Sequence, residues 1–443
     1  CCRKYQTLIL IMKNKIPKSA INELKNLVGV GGWIDTKEGM GSYLSEQRGL
    51  YKSFTPLILR PNSTQTVSKI VSYCHKKRIP IVPQGGNTGL VGGSISTQSD
   101  VLMNMSKMDQ IQNFCNKTGI IHCEAGCILQ NLEEYADNNG WTIPLDLGAK
   151  GTCQIGGNIA TNAGGTRFFK YGSLHENIVG IKAILPNGEI YDDMKGFMKD
   201  NTGYHIKNLL IGSEGTLGVI TECKIKLQKK NNSINGMILS LNNIDKLNDL
   251  IIHSHKYLGN IIYAYELIDK KCLDLHKKHG KELPINYDNF NILIETQSND
   301  DKYHQDILDN FFQICMDNEI ISDGFLAYND TQLNNLWILR ESITENLSKE
   351  NKFLYKFDIS IKLNDLITLK KSLTEYDHYI FGHIFDENIH LNILTDKQDD
   401  IIEDKIYKLV SDLNGSISAE HGIGIMKKKY LQEYDTKNQI QLL

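Results

Sequence analysis

Glycine placement restricts this chain more than any other feature. Of its 36 glycines, 22 fall between residues 85 and 218. Glycine loses more backbone entropy on folding than any other residue, so a segment this rich in it marks turns or backbone held close to a ligand. Four runs carry the enrichment: Gln84 to Ser94, Pro144 to Gly151, Gly156 to Gly165 and Gly212 to Thr221. The first holds five glycines in eleven residues. Such a loop can gather backbone N–H groups round one anion and bind phosphate without a lysine. An ordinary Gly-rich surface loop is the other reading of that run alone. No GxxxxGK[ST] is present, and no GxGxxG opens a helix here, so a dinucleotide would need a different architecture. Asn and Thr fill the remaining positions and offer short polar groups to a long polar ligand. Four such loops in one region are harder to dismiss than one.

Between the loops, strand and helix signals alternate. Apolar runs at 56–59, 79–82, 101–105, 120–125, 178–185 and 217–227 predict strands. Ser63 and Thr64 precede Val67, Ile70, Val71 and Cys74, the spacing of a capped amphipathic helix. A second helix is predicted at 129–138. This is an α/β pattern. The polar run Lys229-Lys230-Asn231-Asn232 marks a boundary near residue 230. Beyond it, strands are predicted at 292–296 and 380–383 and helices at about 304–317 and 331–349. Leu333, Trp337, Arg340, Thr344 and Leu347 share one face of the last helix. This half predicts an α+β sheet with helices on one face.

Charge and cysteine usage exclude several classes. Lys plus Arg number 49 against 52 Asp plus Glu, so no basic excess points to nucleic acid. No run approaches the ~20 apolar residues of a membrane span. At 41% apolar and 23% charged, the chain is not disordered. Its ten cysteines are scattered with no CxxC pair, which suits buried thiols in a reducing compartment. Cys123 and Cys127 have half a zinc spacing, but no second pair follows. Residues 1–22 hold five basic residues and no acidic one. That is the balance of a transit peptide's end, of a short basic arm, or of a start at Met12.

Two further groups carry possible chemistry. His383 and His390 lie seven apart, and Glu420 and His421 follow some thirty residues later. Two imidazoles and a carboxylate make a three-ligand metal set with open positions, or else unrelated histidines among the chain's thirteen. Arg340 stands on an apolar helix face and Lys356 in an apolar run. Both suit a carboxylate ligand, or internal pairs such as Lys356 with Asp358 and Arg340 with Glu341.

Together these stretches resemble the flavoproteins with the vanillyl-alcohol-oxidase type of FAD domain, and among them the D-2-hydroxyglutarate dehydrogenases. The carriers are PQGGNTGLVGGS at 83–94, PLDLGAKGTCQIGGNIATNAGG at 144–165, KDNTGY at 199–204 and IGSEGTLGVIT at 211–221. LRESITE at 339–345, YKFDIS at 355–360, HIFDENIHLN at 383–392 and SAEHGIGIMKK at 418–428 complete the set. The resemblance implies an α+β protein in four parts. Residues 1–45 would be an arm and helix, 46–229 a two-subdomain FAD-binding domain, 230–379 a ferredoxin-like cap and 380–443 a small, apparently truncated metal-site region. FAD would be held non-covalently by Gln84, Gly85, Gly86, Asn87, Thr88, Gly89, Gly93 and Ser94 at the pyrophosphate. Pro144, Asp146, Gly148, Gly151, Thr152, Gly156, Gly157, Asn158, Thr161, Asn162, Gly164, Gly165, Glu214, Gly215, Gly218, Val219 and Ile220 would line the rest.

By the same resemblance, His383, His390 and Glu420 would hold zinc or another divalent metal. Arg340, Thr344, Lys356, Asn392 and His421 would contact the substrate, with His421 as general base. The implied reaction oxidises D-2-hydroxyglutarate to 2-oxoglutarate, with hydride passing to flavin N5 from a substrate whose hydroxyl sits on zinc. The substrate would be a small 2-hydroxy-dicarboxylate, the electron acceptor an electron-transfer flavoprotein, and the compartment the mitochondrial matrix, with the cytoplasm also open. D-lactate dehydrogenase, an alkyl-transferring synthase and an inactive remnant are the alternatives on the same scaffold. One segment departs from the family's GHxGDGNxH: Phe385 and Glu387 replace its inner glycines, so strain is expected wherever φ is positive.

Overall fold

The computed structural model describes residues 16–434 apart from 47, 52 and 97–99. The basic arm, up to residue 15, and the last nine residues lie outside them.

A small sheet comes first. It has β1 (Trp33–Ile34), β2 (Ile58–Leu59), β3 (Ile81–Gln84) and β4 (Val101–Asn104) in the order β1-β2-β4-β3, with β2, β4 and β3 parallel. Parallel neighbours need a crossover, and helix Thr64–Lys77 supplies it between β2 and β3. Ser63 caps that helix by accepting the Thr66 N–H at 3.2 Å. Val67, Ile70, Val71 and Cys74 pack with Leu57, Leu59, Val101 and Met103. The strand predicted at 79–82 starts at Ile81, because Pro80 has no N–H to pair. It ends at Gln84, so the first glycine run leaves the carboxyl end of a parallel strand, where open α/β sheets bind ligands.

The chain next lays down β5 (Ile111–Cys115), β6 (Ile120–Glu124), the two-residue β7 (Trp141–Thr142), β8 (Ile178–Ile184), β9 (Ile190–Asp193) and β10 (Val219–Lys226). All but β7 form an antiparallel sheet in the order β5-β6-β10-β8-β9. Helices Leu129–Asn138 and Ile155–Ala160 cover one face through Leu129, Leu132, Ala136, Ile155 and Ile159. Cys123 and Cys127 belong to this core. Cys123 Sγ meets Cys223 Sγ across the β6–β10 pair at 3.6 Å. Seven of the eight described cysteines are buried.

After β11 (Gln228–Lys229), which returns to pair with β7, a third sheet begins. Its strands are β12 (Ser233–Leu241), β13 (Ile262–Asp269), β14 (Phe290–Ser298), β15 (Asp323–Ala327), β16 (Phe353–Ser360), β17 (Asp377–His383) and β18 (Asn388–Thr395). They run antiparallel in the order β15-β12-β14-β13-β17-β18-β16. The boundary at residue 379/380 therefore needs correction. It falls inside β17, and residues 380–395 complete the same sheet and share its core. The overall architecture is α+β.

Helices lie on both faces of this sheet, not on one. Helices Ile244–Tyr257, Asp301–Asp317, Leu366–Ser372 and Asp400–Asp412 cover the first face over Leu239, Leu267, Ile292, Phe357 and Leu391. Lys270–Lys278 and Asp330–Ser348 cover the second face over Ile238, Ile268, Leu293 and Phe381. Side chains alternate along a strand, so Glu266, His383, His390, Asn392, Lys356 and Asp358 point to this second face. It carries fewer helices, and these polar groups stand where it meets the glycine-rich domain.

Candidate active site

The glycine loop after β3 is braced by its own polar side chains. Gln84 Nε2 donates to the carbonyls of Tyr43 (2.9 Å) and Ser94 (3.1 Å). Asn87 sits at φ 55 and donates to the Ser45 carbonyl at 2.8 Å, while Ser94 Oγ donates to Asn87 Oδ1 at 2.9 Å. The backbone is left open: no N–H from Gly85 to Leu90 has an acceptor among the described residues. The loop borders a cleft with about 920 Å³ of empty space, counting its open mouth. A Cβ on Gly86 would lie 2.0 Å from the Thr152 carbonyl oxygen, so only glycine lets the two walls approach.

Seventeen of the expected FAD residues line this cleft: Gln84 to Gly89, Gly93, Ser94, Gly156, Gly157, Asn158, Thr161, Glu214, Gly215, Gly218, Val219 and Ile220. Gln154, Met105 and Ala125 also line it and were not anticipated. Gln154 Oε1 and Asn158 Oδ1 are buried there without a partner among the described residues. Buried amide oxygens and a row of free N–H groups are what a phosphate-bearing, hydrogen-bonding cofactor would satisfy.

Pro144, Asp146, Gly148, Gly151, Thr152, Asn162, Gly164 and Gly165 do not line it. Asp146 instead pairs with Lys150 at 3.0 Å and Arg167 at 3.6 Å. The Gly165 N–H donates to Glu420 Oε2 at 2.8 Å, and a Cβ on Gly164 would crowd the same oxygen at 2.9 Å. Glu214, though in the cleft wall, spends its carboxylate on the N–H groups of Ile423 and Gly424, both at 2.8 Å. These contacts join the glycine-rich domain to the segment carrying Glu420 and His421.

That segment meets the sheet. Glu420 Oε1 lies 3.9 Å from His383 Nε2, 3.6 Å from His390 Nε2 and 3.8 Å from His421 Nε2. Metal bonds of about 2.1 Å set tetrahedral ligand atoms about 3.4 Å apart, so each of these glutamate–histidine spacings is close to what a shared small cation needs. Behind the rings stand two carboxylates. Glu266 accepts a hydrogen bond from His383 Nδ1, and Asp358 Oδ1 lies 3.7 Å from His390 Nδ1. A carboxylate on the far nitrogen is how proteins orient imidazoles toward a metal. Among the described residues, the group whose ligand atoms all lie within 4.8 Å of one another is Asp358, His390, Glu420 and His421, so His421 rather than His383 joins the expected His390–Glu420 pair in it. Asp358 is the weaker ligand of that group. Its Oδ2 already accepts the N–H groups of Glu420 (2.9 Å) and His421 (2.8 Å), and it faces the Nδ1 side.

Electrostatics follow from this packing. Burial works to discharge His383, but the charge and hydrogen bond of Glu266, with Glu420, hold its pKa at about 10. His390 drops to about 3: burial, then the neighbouring His383 and Arg340 cations, outweigh Glu420 and Asp358. Burial raises Asp386 beside them to about 7, and works to raise Glu420, yet the imidazoles hold Glu420 low.

The expected substrate residues divide. Asn392 is buried and stands opposite Lys356 in the β16–β18 register, two positions from the His390–Asp358 pair. Lys356 is half-buried, and neither it nor Asp358 forms the anticipated mutual pair; Lys356 has no ion-pair partner among the described residues. Arg340 pairs with Glu266, not Glu341, through Nε at 2.7 Å, and its guanidinium lies 4.5 Å over the Phe381 ring. Thr344 is exposed. The buried stripe of its helix is Leu333, Leu336, Leu339, Ile343 and Leu347, rotated from the predicted face.

At the two departures from the family pattern the outcomes differ. Glu387 is left-handed at φ 56, as a glycine replacement there implies. Phe385 has no positive φ. It stacks on Tyr265 at 3.8 Å and on His255 at 4.9 Å, forming an aromatic cluster.

An FAD binding domain family matches residues 55–193, and the C-terminal domain of FAD linked oxidases matches 231–443. Arabidopsis thaliana mitochondrial D-2-hydroxyglutarate dehydrogenase is 38% identical across 94% of this chain and 78% of its own length. The Danio rerio protein of the same name is 39% identical across 85% and 72%. The chain belongs to the D-2-hydroxyglutarate dehydrogenase family. It is an FAD-dependent 2-hydroxy-acid dehydrogenase with the vanillyl-alcohol-oxidase type of fold. A solved p-cresol methylhydroxylase shares that fold at a TM-score of 0.74 and 14% identity, over 98% of this chain and 94% of the other. No described helix is long and apolar enough to cross a membrane.

Sequence reasoning missed Glu266 as a functional residue and named Asp358 only as a partner for Lys356. A signal existed for the first: one acid inside the otherwise apolar run 262–268, where an unpaired charge is rarely buried.

Proposed function

We propose that this dehydrogenase oxidises D-2-hydroxyglutarate to 2-oxoglutarate. One observation carries the reading: His421 lines the glycine-walled cleft, while its ring sits 3.8 Å from the glutamate oxygen on which His383 and His390 converge. The nucleotide cleft and the imidazole cluster are thus one site. Gly85 to Leu90 would hold the FAD pyrophosphate, and His383, His390 and Glu420 a divalent metal, zinc being suited to this N₂O set. When bound, FAD supplies a hydride acceptor and the metal a Lewis acid that makes the substrate hydroxyl easier to deprotonate. His421 takes the hydroxyl proton, since it alone of the three imidazoles opens on the cleft. Lys356 and the free Nη end of Arg340 bind carboxylate charge, and Asn392 donates beside Lys356. A free half-buried cation besides the cluster favours a second carboxylate on the substrate over a monocarboxylate.

The relatives' names support a mitochondrial location, and we place the chain in the matrix, passing electrons to an electron-transfer flavoprotein. The test is anaerobic addition of D-2-hydroxyglutarate and D-lactate to the yellow purified protein. D-2-hydroxyglutarate bleaches the flavin at the lower concentration. A marked preference for D-lactate would overturn the substrate.

A further inference from the structure

We infer that Glu266 is a positioning residue that sets the metal histidine and the substrate arginine together, through the two oxygens of one carboxylate; this rests on the reading above. Glu266 is fully buried on β13, opposite His383 in the β13–β17 register. Its Oε1 receives His383 Nδ1, and its Oε2 receives Arg340 Nε at 2.7 Å. Both donors approach from different elements, β17 and helix Asp330–Ser348. Each consequence is specific. With Nδ1 fixed, His383 presents Nε2 toward Glu420. With Nε taken and its plane laid over Phe381, Arg340 offers only its terminal Nη edge to a carboxylate. The side-on fork through Nε is closed to the substrate. A shift of either partner moves the carboxylate the other leans on, so metal seating and substrate grip are coupled.

Glu266→Gln tests this, because an amide has one acceptor oxygen and one donor nitrogen. It can serve His383 or Arg340 but not both. Glu266→Asp keeps two acceptors and withdraws both by one methylene, and it stands in if the first variant does not fold. Zinc affinity of the FAD-loaded protein is read by competition with a chromophoric chelator, and KM for D-2-hydroxyglutarate separately. Leu239→Ala, in the core of the opposite sheet face, controls for general loosening. In the Glu266 variant, zinc affinity falls 10–100-fold, KM rises at least tenfold, or both, with FAD content retained. Leu239→Ala moves neither. A Glu266 variant that keeps zinc affinity and KM within twofold of wild type overturns the inference while leaving the function standing. Wild-type protein that binds no zinc overturns both.

Discussion

Replacing Arg167 with alanine probes how the two halves of the site are held in place. Arg167 follows the glycine run that touches Glu420. Its Nη1 reaches Glu295 Oε1 at 2.6 Å on the interior strand β14. Glu295 is 2% exposed, and its other oxygen accepts Trp337 Nε1 at 2.7 Å, one turn ahead of Arg340. Deleting the arginine leaves a buried carboxylate without its counter-ion. Such losses cost roughly 3–5 kcal/mol. Trp337 and Gln297, which donates at 2.9 Å, remain, so we place the cost at about 3 kcal/mol. The converse change is cheaper. In Glu295→Gln, Arg167 keeps Asp146 at 3.6 Å and the Tyr263 ring at 5.3 Å and retains some solvent, so about 1 kcal/mol is expected. At 1.4 kcal/mol per decade, helix Asp330–Ser348 should open roughly 100-fold more often in the first variant and under tenfold in the second. Hydrogen exchange of peptides from that helix reads this directly. Equal exchange in wild type and Arg167→Ala, or faster exchange in Glu295→Gln than in Arg167→Ala, would refute the strut.

Other predictions follow from the same geometry. His383, with a pKa of about 10, carries two ring protons at neutral pH, whereas His390 at about 3 and the lowered Glu420 carry no proton to lose. A metal at Nε2 therefore displaces about one proton, and affinity falls about tenfold for each pH unit below that value. Calorimetry of zinc binding in buffers of different protonation enthalpy counts it; a count of zero contradicts the site. His390→Ala loses zinc and most turnover and keeps its yellow flavin, checked by metal analysis and visible spectrum. Gly86→Ala, whose Cβ would overlap the Thr152 carbonyl, purifies without flavin or not at all.

The glycine loops were legible because backbone approach needs glycine whatever the tertiary setting, and the approach of His383 and His390 to Glu420 because two histidines seven apart stand out, although Glu420 comes some thirty residues later. Helix Asp330–Ser348 was found within one residue, yet its face was misjudged. Apolar spacing fits two neighbouring stripes, and the sheet beneath selected Leu336, Leu339 and Ile343 over Trp337 and Thr344. The pairing of Glu266 with His383 was hidden because β13 lies some 120 residues from His383, and only the sheet order β14-β13-β17 makes them neighbours. Phe385 was judged by the glycine it replaced; the Tyr265 and His255 that receive its ring come from separate elements.

The central claim is that the cleft walled by glycine and the imidazole cluster serve one reacting carbon. Stripping the metal with a chelator and then adding D-2-hydroxyglutarate without oxygen tests it most directly. The protein is expected to stay yellow, the colour persisting until zinc is restored. Bleaching at an undiminished rate in the metal-free protein would contradict it.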